Sequence, residues 1–275
     1  MPKTILITGA ASGFGRGAAL ELARRGHDVV AGVQIAPQVT ELLAAAAEEG
    51  VEMEVMVLDI TDEDDREAAF RHDPDVLINN AGIMEGGPAA EIPMSRVRRN
   101  FEVNVFGTLA MIQGIAPKMV ARGAGKIINV SSMGGLITVP FVSIYTATKH
   151  ALESITEGLK FELMGTGVEI CTINPGAYGT GFNDRGVETM FRWLDPAASL
   201  TPSAVFEAFM SGDGLEDQLD PQGLVDALVD LAEAEGSAFR NVVPTDIIPW
   251  IKAIQETTWD AGPDTVLFVD PASLA

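Results

Sequence analysis

The chain opens with the stretch T-I-L-I-T-G-A-A-S-G-F-G at residues 4–15, followed at once by a helical pattern over residues 16–25. The short apolar run is typical of a buried strand, and the glycines mark a turn from this strand into the helix. Glycine lets a tight turn approach a pyrophosphate closely, and the helix N-terminus offers oriented N–H groups and a partial positive charge. The stretch therefore predicts a strand–turn–helix unit that binds a dinucleotide.

Apolar runs and helical segments alternate along the rest of the chain. Strands are predicted at residues 4–8, 28–33, 51–58, 75–79, 126–131, 168–174 and 241–243. Helices are predicted at residues 16–25, 38–49, 61–70 (with Thr61 as the N-cap), 95–121, 143–164 and 221–235. This alternation predicts an α/β fold, a doubly wound parallel sheet with helices on both faces, as a single domain over residues 1–275.

Two segments depart from this alternation. Residues 176–220 mix glycine and proline with methionine, phenylalanine and tryptophan, which favours a lid over an apolar site after the sixth strand. The alternative is a pair of helices packed permanently on the body of the domain. Residues 246–275 are interpreted as a C-terminal extension that reaches the site or a neighbouring subunit.

The charge balance excludes several classes of partner. The chain has 18 basic and 39 acidic residues, a formal charge of -21 and a pI of about 4.3. So negative a surface repels phosphate backbones and anionic lipid, and no apolar run approaches the length of a membrane span. We therefore expect a soluble cytoplasmic protein that binds neither nucleic acid nor membrane, and that holds an anionic cofactor through local features.

Cysteine and histidine give no sign of redox or metal chemistry. The single cysteine, Cys171, lies in an apolar run and is interpreted as a small buried side chain. His27, His72 and His150 are scattered without metal-ligand spacing and are interpreted as solvated surface residues. No metal site is predicted.

The residues after the second and third strands bear on the choice of cofactor. In a dinucleotide-binding fold an acidic residue at the end of the second strand usually binds the adenosine ribose, but here Val33 and Gln34 occupy this place. Neither a carboxylate nor an arginine marks the choice between NAD and NADP, and the lack of a cation for a 2′-phosphate favours NAD. Asp59, at the end of the third strand, can contact the adenine amino group or cap the next helix beside Thr61.

A group of four polar residues suggests the chemistry. Tyr145 and Lys149 lie four residues apart at the start of a predicted helix and share one face. A phenol has a pKa of about 10, and a nearby ammonium group favours its ionised form. Ser132 closes the fifth strand, at the edge where doubly wound sheets bind ligands, and Asn104 is a polar residue among apolar neighbours in a long helix.

The order and spacing of these motifs resemble the single-domain branch of the short-chain dehydrogenase/reductase family. The resemblance covers residues 3–183 and, more loosely, extends to residue 245. It rests on the following motifs: Thr8-Gly9-x-x-x-Gly13-x-Gly15, Asn79-Asn80-Ala81-Gly82, Asn104, Ser132, Tyr145-x-x-x-Lys149 and Pro175-Gly176. It implies a Rossmann fold and an NAD(P)-dependent oxidoreductase that interconverts a secondary alcohol and a ketone.

The resemblance also implies a role for each position. Tyr145 would be the general acid/base and Lys149 its activator, Ser132 would orient the carbonyl, and Asn104 would hold a water in a proton relay. The implied cofactor contacts are Gly9, Ser12, Gly13, Phe14, Gly15, Gln34, Asp59, Ile60, Asn80, Ala81, Gly82, Tyr145, Lys149, Pro175, Gly176 and Thr180. A homodimer or homotetramer built through the two long helices is implied as well.

The substrate is predicted to be a small apolar or aromatic carbonyl compound or alcohol. Four side chains, each of which could equally be ordinary packing, are the predicted contacts: Met133, Phe141, Tyr178 and Trp193. Two alternatives stay open. The same tyrosine–lysine site could serve a dehydratase or epimerase, and the fold could belong to a cofactor-sensing protein that performs no chemistry.

Overall fold

The computed structural model describes residues 1–210, 218–262 and 265, and it contains one seven-stranded sheet. The strands are β1 (Thr4–Ile7), β2 (Asp28–Val33), β3 (Glu54–Val57), β4 (Val76–Asn79), β5 (Gly125–Val130), β6 (Val168–Pro175) and β7 (Arg240–Val243). All pairings are parallel, in the order β3-β2-β1-β4-β5-β6-β7. The doubly wound parallel sheet is confirmed.

Helices cover both faces of this sheet. They are α1 (Gly13–Arg24), α2 (Ala36–Glu48), α3 (Glu63–Ala69), α4 (Met94–Phe101), α5 (Thr108–Arg122), α6 (Ser143–Glu162), α7 (Phe182–Phe191), α8 (Ser203–Met210), α9 (Gln222–Glu233) and α10 (Ile248–Thr257). One buried cluster joins α1, α2 and α9 to one face, and a second joins α3 and α5 to the other. The central strands have apolar residues on both faces because helices cover both.

The strand order determines where a ligand can bind. The chain builds β1, β2 and β3 outward in one direction and then returns to place β4 on the other side of β1. In such sheets the crevice at the carboxyl ends of the strands on either side of this switch point is the usual ligand site. The glycine turn that follows β1 lies at this crevice.

The long predicted helix contains a change of helical type. A π-helix, Glu102–Gly107, joins α4 to α5, and Asn104 lies within it. The continuous helical run Met94–Arg122 is long and apolar enough, by length and composition, to cross a membrane, but half of its most apolar window is buried in the fold. A core helix of a globular protein passes the same test, and the cytoplasmic location stays a prediction.

Three local predictions are corrected. The third strand spans only Glu54–Val57, because the residues before it make no ladder with β2. Asp62, and not Thr61, caps α3: its side chain accepts a hydrogen bond from Asp65 N at 3.1 Å. His27 is not a solvated surface residue, because its side chain is only 7% exposed and its Nε2 lies 2.9 Å from Glu233 Oε1.

The insertion after β6 contains α7 and α8, and its apolar side chains form a cluster with the loop before α6. Phe141, Met190 and Leu194 are its buried members, and Trp193 and Phe206 pack against them. These contacts are compatible with a lid and with a permanently packed helical pair, so the lid remains an interpretation. Phe209 and Met210 belong to the predicted lid, and Phe268 belongs to the predicted C-terminal extension. The side chains of Phe209 and Met210 and the whole of Phe268 lie outside the described part of the chain.

Candidate active site

A cavity of about 2210 Å³ occupies the crevice at the carboxyl edge of the sheet. Ligand pockets commonly have volumes of about 300–1,000 Å³, so this one has room for a large cofactor and a substrate together. Most of the predicted site residues line it: Gly9, Ser12, Gly13, Phe14, Gln34, Asp59, Ile60, Asn80, Ala81, Gly82, Ser132, Met133, Phe141, Tyr145, Lys149, Pro175, Gly176, Tyr178 and Thr180. Gly15, Asn104 and Trp193 do not line it.

The glycine turn is closely packed against the loop after β4. Gly9 has a φ of +68°, and a Cβ there would lie 2.6 Å from Ala81 Cα. A Cβ on Gly15 would lie 2.4 Å from Asn80 Nδ2 and 2.5 Å from the Gly9 carbonyl oxygen. Gly15 therefore acts beneath the turn: it allows the close approach that shapes the cofactor site without itself facing the cavity.

Hydrogen bonds fix this turn in place. Asn80 Nδ2 donates to the carbonyl oxygens of Thr8 and Gly9, both at 3.0 Å. Thr8 Oγ1 in return accepts from the backbone N–H groups of Asn80 at 3.1 Å and Ala81 at 3.0 Å. The side chain of Asn80 is thus engaged in supporting the turn, although its residue lines the cavity.

The N-terminus of α1 suits an anion. Ser12 is the N-cap residue, yet its side chain makes no capping hydrogen bond to the first turn. Backbone N–H groups of that turn thus keep their capacity to donate, and the helix dipole adds a partial positive charge at the cavity wall. A dinucleotide pyrophosphate fits this arrangement. Thr180 packs across it, because a Cβ on Gly13 would lie 3.3 Å from Thr180 Cβ.

Gln34 and Asp59 lie together in the cavity wall, at the end where the family resemblance predicts the adenosine, called here the adenosine end. Gln34 Nε2 donates to Asp59 Oδ2 at 2.9 Å, and the Thr61 hydroxyl donates to Asp59 Oδ1 at 2.7 Å. Partial burial alone would raise the pKa of Asp59, but these hydrogen bonds and the charge of Arg99 outweigh it and lower the pKa. Asp59 is therefore an ionised acceptor at the cavity wall, and Thr61 orients it instead of capping α3; its contact with the adenine amino group stays a prediction.

Two cations that the sequence analysis does not predict line the same cavity, and the charge of one of them, Arg99, acts on Asp59. Arg98 and Arg99, on α4, line the cavity, and no salt bridge involves either within the described residues. The preference for NAD rested on the absence of such a cation, so the choice between NAD and NADP stays open. Only the packing of α4 over the crevice reveals these arginines, because their sequence neighbourhood carries no nucleotide motif.

Tyr145 and Ser132 meet at the opposite end of the cavity. Tyr145 is 9% exposed. Burial raises the pKa of its phenol to about 12, although the nearby Ser132 side chain works in the opposite direction. Ser132 Oγ accepts from Gly134 N at 3.0 Å, which fixes the direction of its hydroxyl. At neutral pH the phenol is therefore a protonated donor.

Lys149 lies one helical turn beyond Tyr145. Its Nζ is 5.8 Å from the centroid of the Tyr145 ring and donates to the Val130 carbonyl oxygen at 2.9 Å. Burial lowers the pKa of Lys149 to about 8, and the charge of Glu153 opposes this. The ammonium group is therefore close to its titration point at physiological pH.

Asn104 is fully buried and supports the site from behind. Its Nδ2 donates to the Ile83 carbonyl oxygen at 2.8 Å and to Thr148 Oγ1 at 3.0 Å, and its Oδ1 accepts from Ile83 N at 2.8 Å. A Cβ on Gly82 would lie 3.4 Å from Asn104 Oδ1 and 3.7 Å from Lys149 Nζ. Asn104 is thus a neighbour of the Lys149 ammonium, with both donors of its amide already used.

The wall of the cavity beyond Tyr145 is mainly apolar. Phe141 has a φ of +60°, which is strained for a residue with a side chain, and its ring packs edge-on against Phe206 at 5.6 Å. The Tyr145 ring lies 5.7 Å from the ring of Phe182, at the start of α7. Trp193 instead packs against the backbone at Gly87, where a Cβ would lie 2.1 Å from its Cζ2. It is not brought to the cavity.

Comparison with known proteins agrees with this geometry. The model of the short chain dehydrogenase family matches residues 3–190. An uncharacterized oxidoreductase, YusZ, of Bacillus subtilis is 36% identical over 238 residues, which are 84% of each chain. The 3-ketodihydrosphingosine reductase of Bacteroides thetaiotaomicron is 35% identical over 187 residues, 66% of each chain.

Solved structures of similar proteins contain either nicotinamide cofactor. A short chain dehydrogenase/reductase from Burkholderia phymatum in complex with NAD has a TM-score of 0.80 at 25% identity, over 98% of both chains. A short-chain dehydrogenase from Sphingobium yanoikuyae in complex with NADPH has a TM-score of 0.71 at 27% identity, over 97% of this chain and 98% of that one. The chain therefore belongs to the short-chain dehydrogenase/reductase family and is an NAD(P)-dependent oxidoreductase with a Rossmann fold.

Proposed function

We propose that the protein reduces a ketone with a bulky apolar or aromatic body to a secondary alcohol, and that Tyr145 is the acid/base. The main supporting observation is that the buried phenol of Tyr145 and the side chain of Ser132 line the same large cavity, close enough for Ser132 to act on the phenol. A pKa of about 12 keeps this phenol protonated at neutral pH, as a proton donor to a carbonyl oxygen must be.

The residues divide the work as follows. The Ser132 hydroxyl and the Tyr145 phenol both hydrogen-bond the substrate carbonyl oxygen and hold its carbon toward the cofactor side of the cavity. The bound nicotinamide cofactor supplies or accepts the hydride. Tyr145 gives its proton to the oxygen as negative charge develops there, and the Lys149 ammonium stabilises the phenolate that remains. In alcohol oxidation the same phenolate would take the proton back.

The apolar wall supports a bulky substrate body. Alongside the polar side chains of Asn183, Arg185 and Asp246, the cavity is lined by the apolar residues Val139, Phe141, Val142, Phe182, Val187, Val205, Ile247 and Trp250. Burial of an apolar body against these side chains contributes roughly 25 cal/mol per Å² of surface removed from water. Met133 and Tyr178 border the same space and are proposed as substrate contacts. The side chain of Trp193 packs against the cluster that contains Phe141 and does not line the cavity. Its proposed effect on the substrate is therefore indirect, through its packing on this cluster.

A carbonyl panel tests this function. The protein would be supplied with NADH or NADPH that carries deuterium at C4, together with 2-octanone, acetophenone or the polar hydroxyacetone. We expect deuterium on the carbinol carbon of the two apolar ketones and weaker turnover of hydroxyacetone. Binding of both cofactors without deuterium transfer to any ketone would favour a cofactor sensor. Isomerised or dehydrated product with an unconsumed cofactor would favour an epimerase or dehydratase.

We also propose that the protein forms a homodimer or homotetramer through α5 and α6. A groove of about 620 Å³ runs between these helices, lined by apolar residues such as Ile112, Ile155 and Leu159. Phe161, near the end of α6, is 65% exposed, and the adjoining Met164 is 77% exposed. A second copy would cover these side chains.

Light scattering of the wild type should show a dimer or tetramer, and Phe161→Glu should shift it toward a monomer; a monomeric wild type would contradict the proposal.

A further inference from the structure

The helix that carries Tyr145 and Lys149 bears a third ionisable side chain at the same spacing, Glu153. Residues four apart share one face of a helix, so all three point toward the same side of α6. Glu153 is 5% exposed. A buried carboxylate is costly unless it is hydrogen-bonded and paired, so the identity of its partners indicates what it does.

The partners of Glu153 lead directly to the catalytic serine. Its Oε1 accepts from Asn174 Nδ2 at 2.6 Å, and its Oε2 accepts from Arg240 Nη2 at 3.0 Å. Asn174 Nδ2 also donates to the Ser132 carbonyl oxygen at 3.1 Å, while Asn174 Oδ1 accepts from Thr172 Oγ1 at 2.9 Å. The amide of Asn174 is therefore held from three sides and joins the carboxylate to the backbone of Ser132.

The turn after Ser132 also rests on this glutamate. A short 3-10 helix, Met133–Gly135, follows Ser132. A Cβ on Gly135 would lie 3.0 Å from Glu153 Cγ and 3.1 Å from the Lys149 carbonyl oxygen. Ser132 is thus linked to Glu153 by the hydrogen bonds of Asn174, and the turn that follows Ser132 packs at Gly135 on the stem of Glu153.

The charge of Glu153 acts on Lys149 from the next turn of the same helix. Burial lowers the pKa of Lys149 to about 8, and the negative charge of Glu153 raises it against that effect. The described contacts place two cations near the carboxylate, Lys149 on its own helix and Arg240 at the start of β7. The groups from β6 and from the 3-10 helix, Asn174 and Gly135, are uncharged.

We propose that Glu153 is a positioning residue of the active site, which holds Ser132 through Asn174 and places a carboxylate one helical turn from Lys149. This inference rests on the acid/base role proposed above for Tyr145 and Lys149. Glu153 itself touches neither substrate nor cofactor. The single buried carboxylate of Glu153 aligns Ser132 and favours the charged form of Lys149. The Lys149 ammonium in turn stabilises the Tyr145 phenolate.

A merely structural role would give a different pattern of variants. Glu153 also ties α6 to β7 through Arg240, whose side chain is 40% exposed. Arg240→Gln removes this tie while it leaves the carboxylate and its bond to Asn174. If Glu153 only joins these elements, Glu153→Gln and Arg240→Gln should both lower the melting temperature and should leave the pKa of Lys149 unchanged.

The direct test is a pH titration of Lys149 by NMR in the full-length protein with ¹³C-labelled lysine, the signal being assigned with Lys149→Met. In Glu153→Gln we expect the pKa of Lys149 to fall by about one pH unit, because the variant removes a negative charge that favours the ammonium form. In Arg240→Gln, the loss of a positive charge should raise that pKa by a smaller amount. An unchanged pKa in Glu153→Gln would overturn the proposal.

A kinetic measurement accompanies the titration. With acetophenone and a reduced cofactor, the alkaline limb of the kcat/KM profile should move to lower pH in Glu153→Gln, while cofactor binding by fluorescence stays within about twofold. A fall in kcat with an unmoved limb contradicts the proposal. If Glu153→Gln does not fold, Asn174→Ala carries the test, because it removes the link from the carboxylate to the Ser132 carbonyl oxygen; an unchanged kcat/KM in it is then the contrary result. If no ketone is reduced, the function proposed above fails, whereas the titration still decides the role of Glu153.

Discussion

The side chain of Asn104 spans the backbone of Ile83: Nδ2 donates to the Ile83 carbonyl oxygen and Oδ1 accepts from its N–H, both at 2.8 Å. These two hydrogen bonds tie the π-helix to the loop after β4, directly beside Gly82 and the Lys149 ammonium. π-helical segments occur frequently at functional sites. The relationship gives Asn104 a supporting role that does not require a bound water.

Replacement of Asn104 should therefore affect stability as well as activity. In Asn104→Ala the N–H and the carbonyl oxygen of the partly buried Ile83 lose their side-chain partner, and Thr148 Oγ1 keeps only its bond to the Tyr145 carbonyl oxygen. A group left unpaired costs about 1–3 kcal/mol when it is buried. We expect urea denaturation to show a loss of about 2–4 kcal/mol in the free energy of unfolding. Gln222→Ala, an exposed polar control on α9, should change this free energy by less than about 0.5 kcal/mol. Full stability in Asn104→Ala would refute the supporting role.

Gly15→Ala should disrupt cofactor binding without touching the cofactor. The added Cβ would lie 2.5 Å from the Gly9 carbonyl oxygen, so the turn itself must move. We expect the Kd for NADH or NADPH, measured by fluorescence, to rise by about tenfold or more, equal to at least about 1.4 kcal/mol.

The matched control for this substitution is Gly223→Ala. Gly223 lies in α9, and a Cβ there meets nothing within 4 Å. This variant should bind cofactor normally and gain about 0.5–1 kcal/mol in stability, since alanine is the better helix former. Equal cofactor affinity in the two variants would argue against a closely packed glycine turn.

Lys149→Met should stabilise the protein near neutral pH even as it impairs turnover. The pKa of this lysine is about 8 in the folded protein, against 10.5 for the free side chain. The cost of burying its charge is therefore complete below pH 8, fades as the pH rises toward 10.5 and is absent above it. After allowance for the lost bond to Val130, we expect a gain of about 2 kcal/mol at pH 7.

Urea denaturation of Lys149→Met at a series of pH values checks this. Lys252→Met, on the exposed face of α10, serves as the control and should show no comparable gain at any of these pH values. A gain that does not shrink between pH 8 and pH 10.5 would contradict the depressed pKa of Lys149.

Arg99→Gln should weaken NADPH binding more than NADH binding. Arg99 acts electrostatically on Asp59 and lines the adenosine end of the cavity. A single exposed cation is worth up to about 1 kcal/mol to an added phosphate, so we expect roughly a fivefold rise in the Kd for NADPH. Arg71→Gln makes the same charge change away from the cavity and should affect neither cofactor. Equal losses for both cofactors would remove Arg99 as the partner of a 2′-phosphate.

The sheet and the glycine turn could be predicted because their signals are local. An apolar run such as residues 4–7 indicates a buried strand, and the glycines that follow it indicate where the chain turns. Tyr145 and Lys149 could be paired for the same reason, since their spacing alone places them on one helical face. In each case the deciding interaction lies within a few residues of the motif.

The remaining features depend on contacts between distant parts of the chain. The π-helix around Asn104 is stabilised by Ile83 and Thr148, and His27 is buried because Glu233 packs on it. No sequence pattern reveals that Arg98 and Arg99 face the adenosine end. The sequence predicts that Ser132 closes the fifth strand, but only the fold shows that Ser132 caps a 3-10 helix and that its side chain lies near Tyr145.

The central claim, that Tyr145 is the proton donor, is tested most directly by Tyr145→Phe. The substitution removes one hydroxyl from a buried ring and leaves the glycine turn and the adenosine end intact. The measurement is kcat for ketone reduction, alongside the Kd for the reduced cofactor by fluorescence. We predict that kcat falls by about 1,000-fold while the Kd is unchanged, as expected for loss of a general acid. Turnover within tenfold of the wild type, with the cofactor bound, would contradict the account.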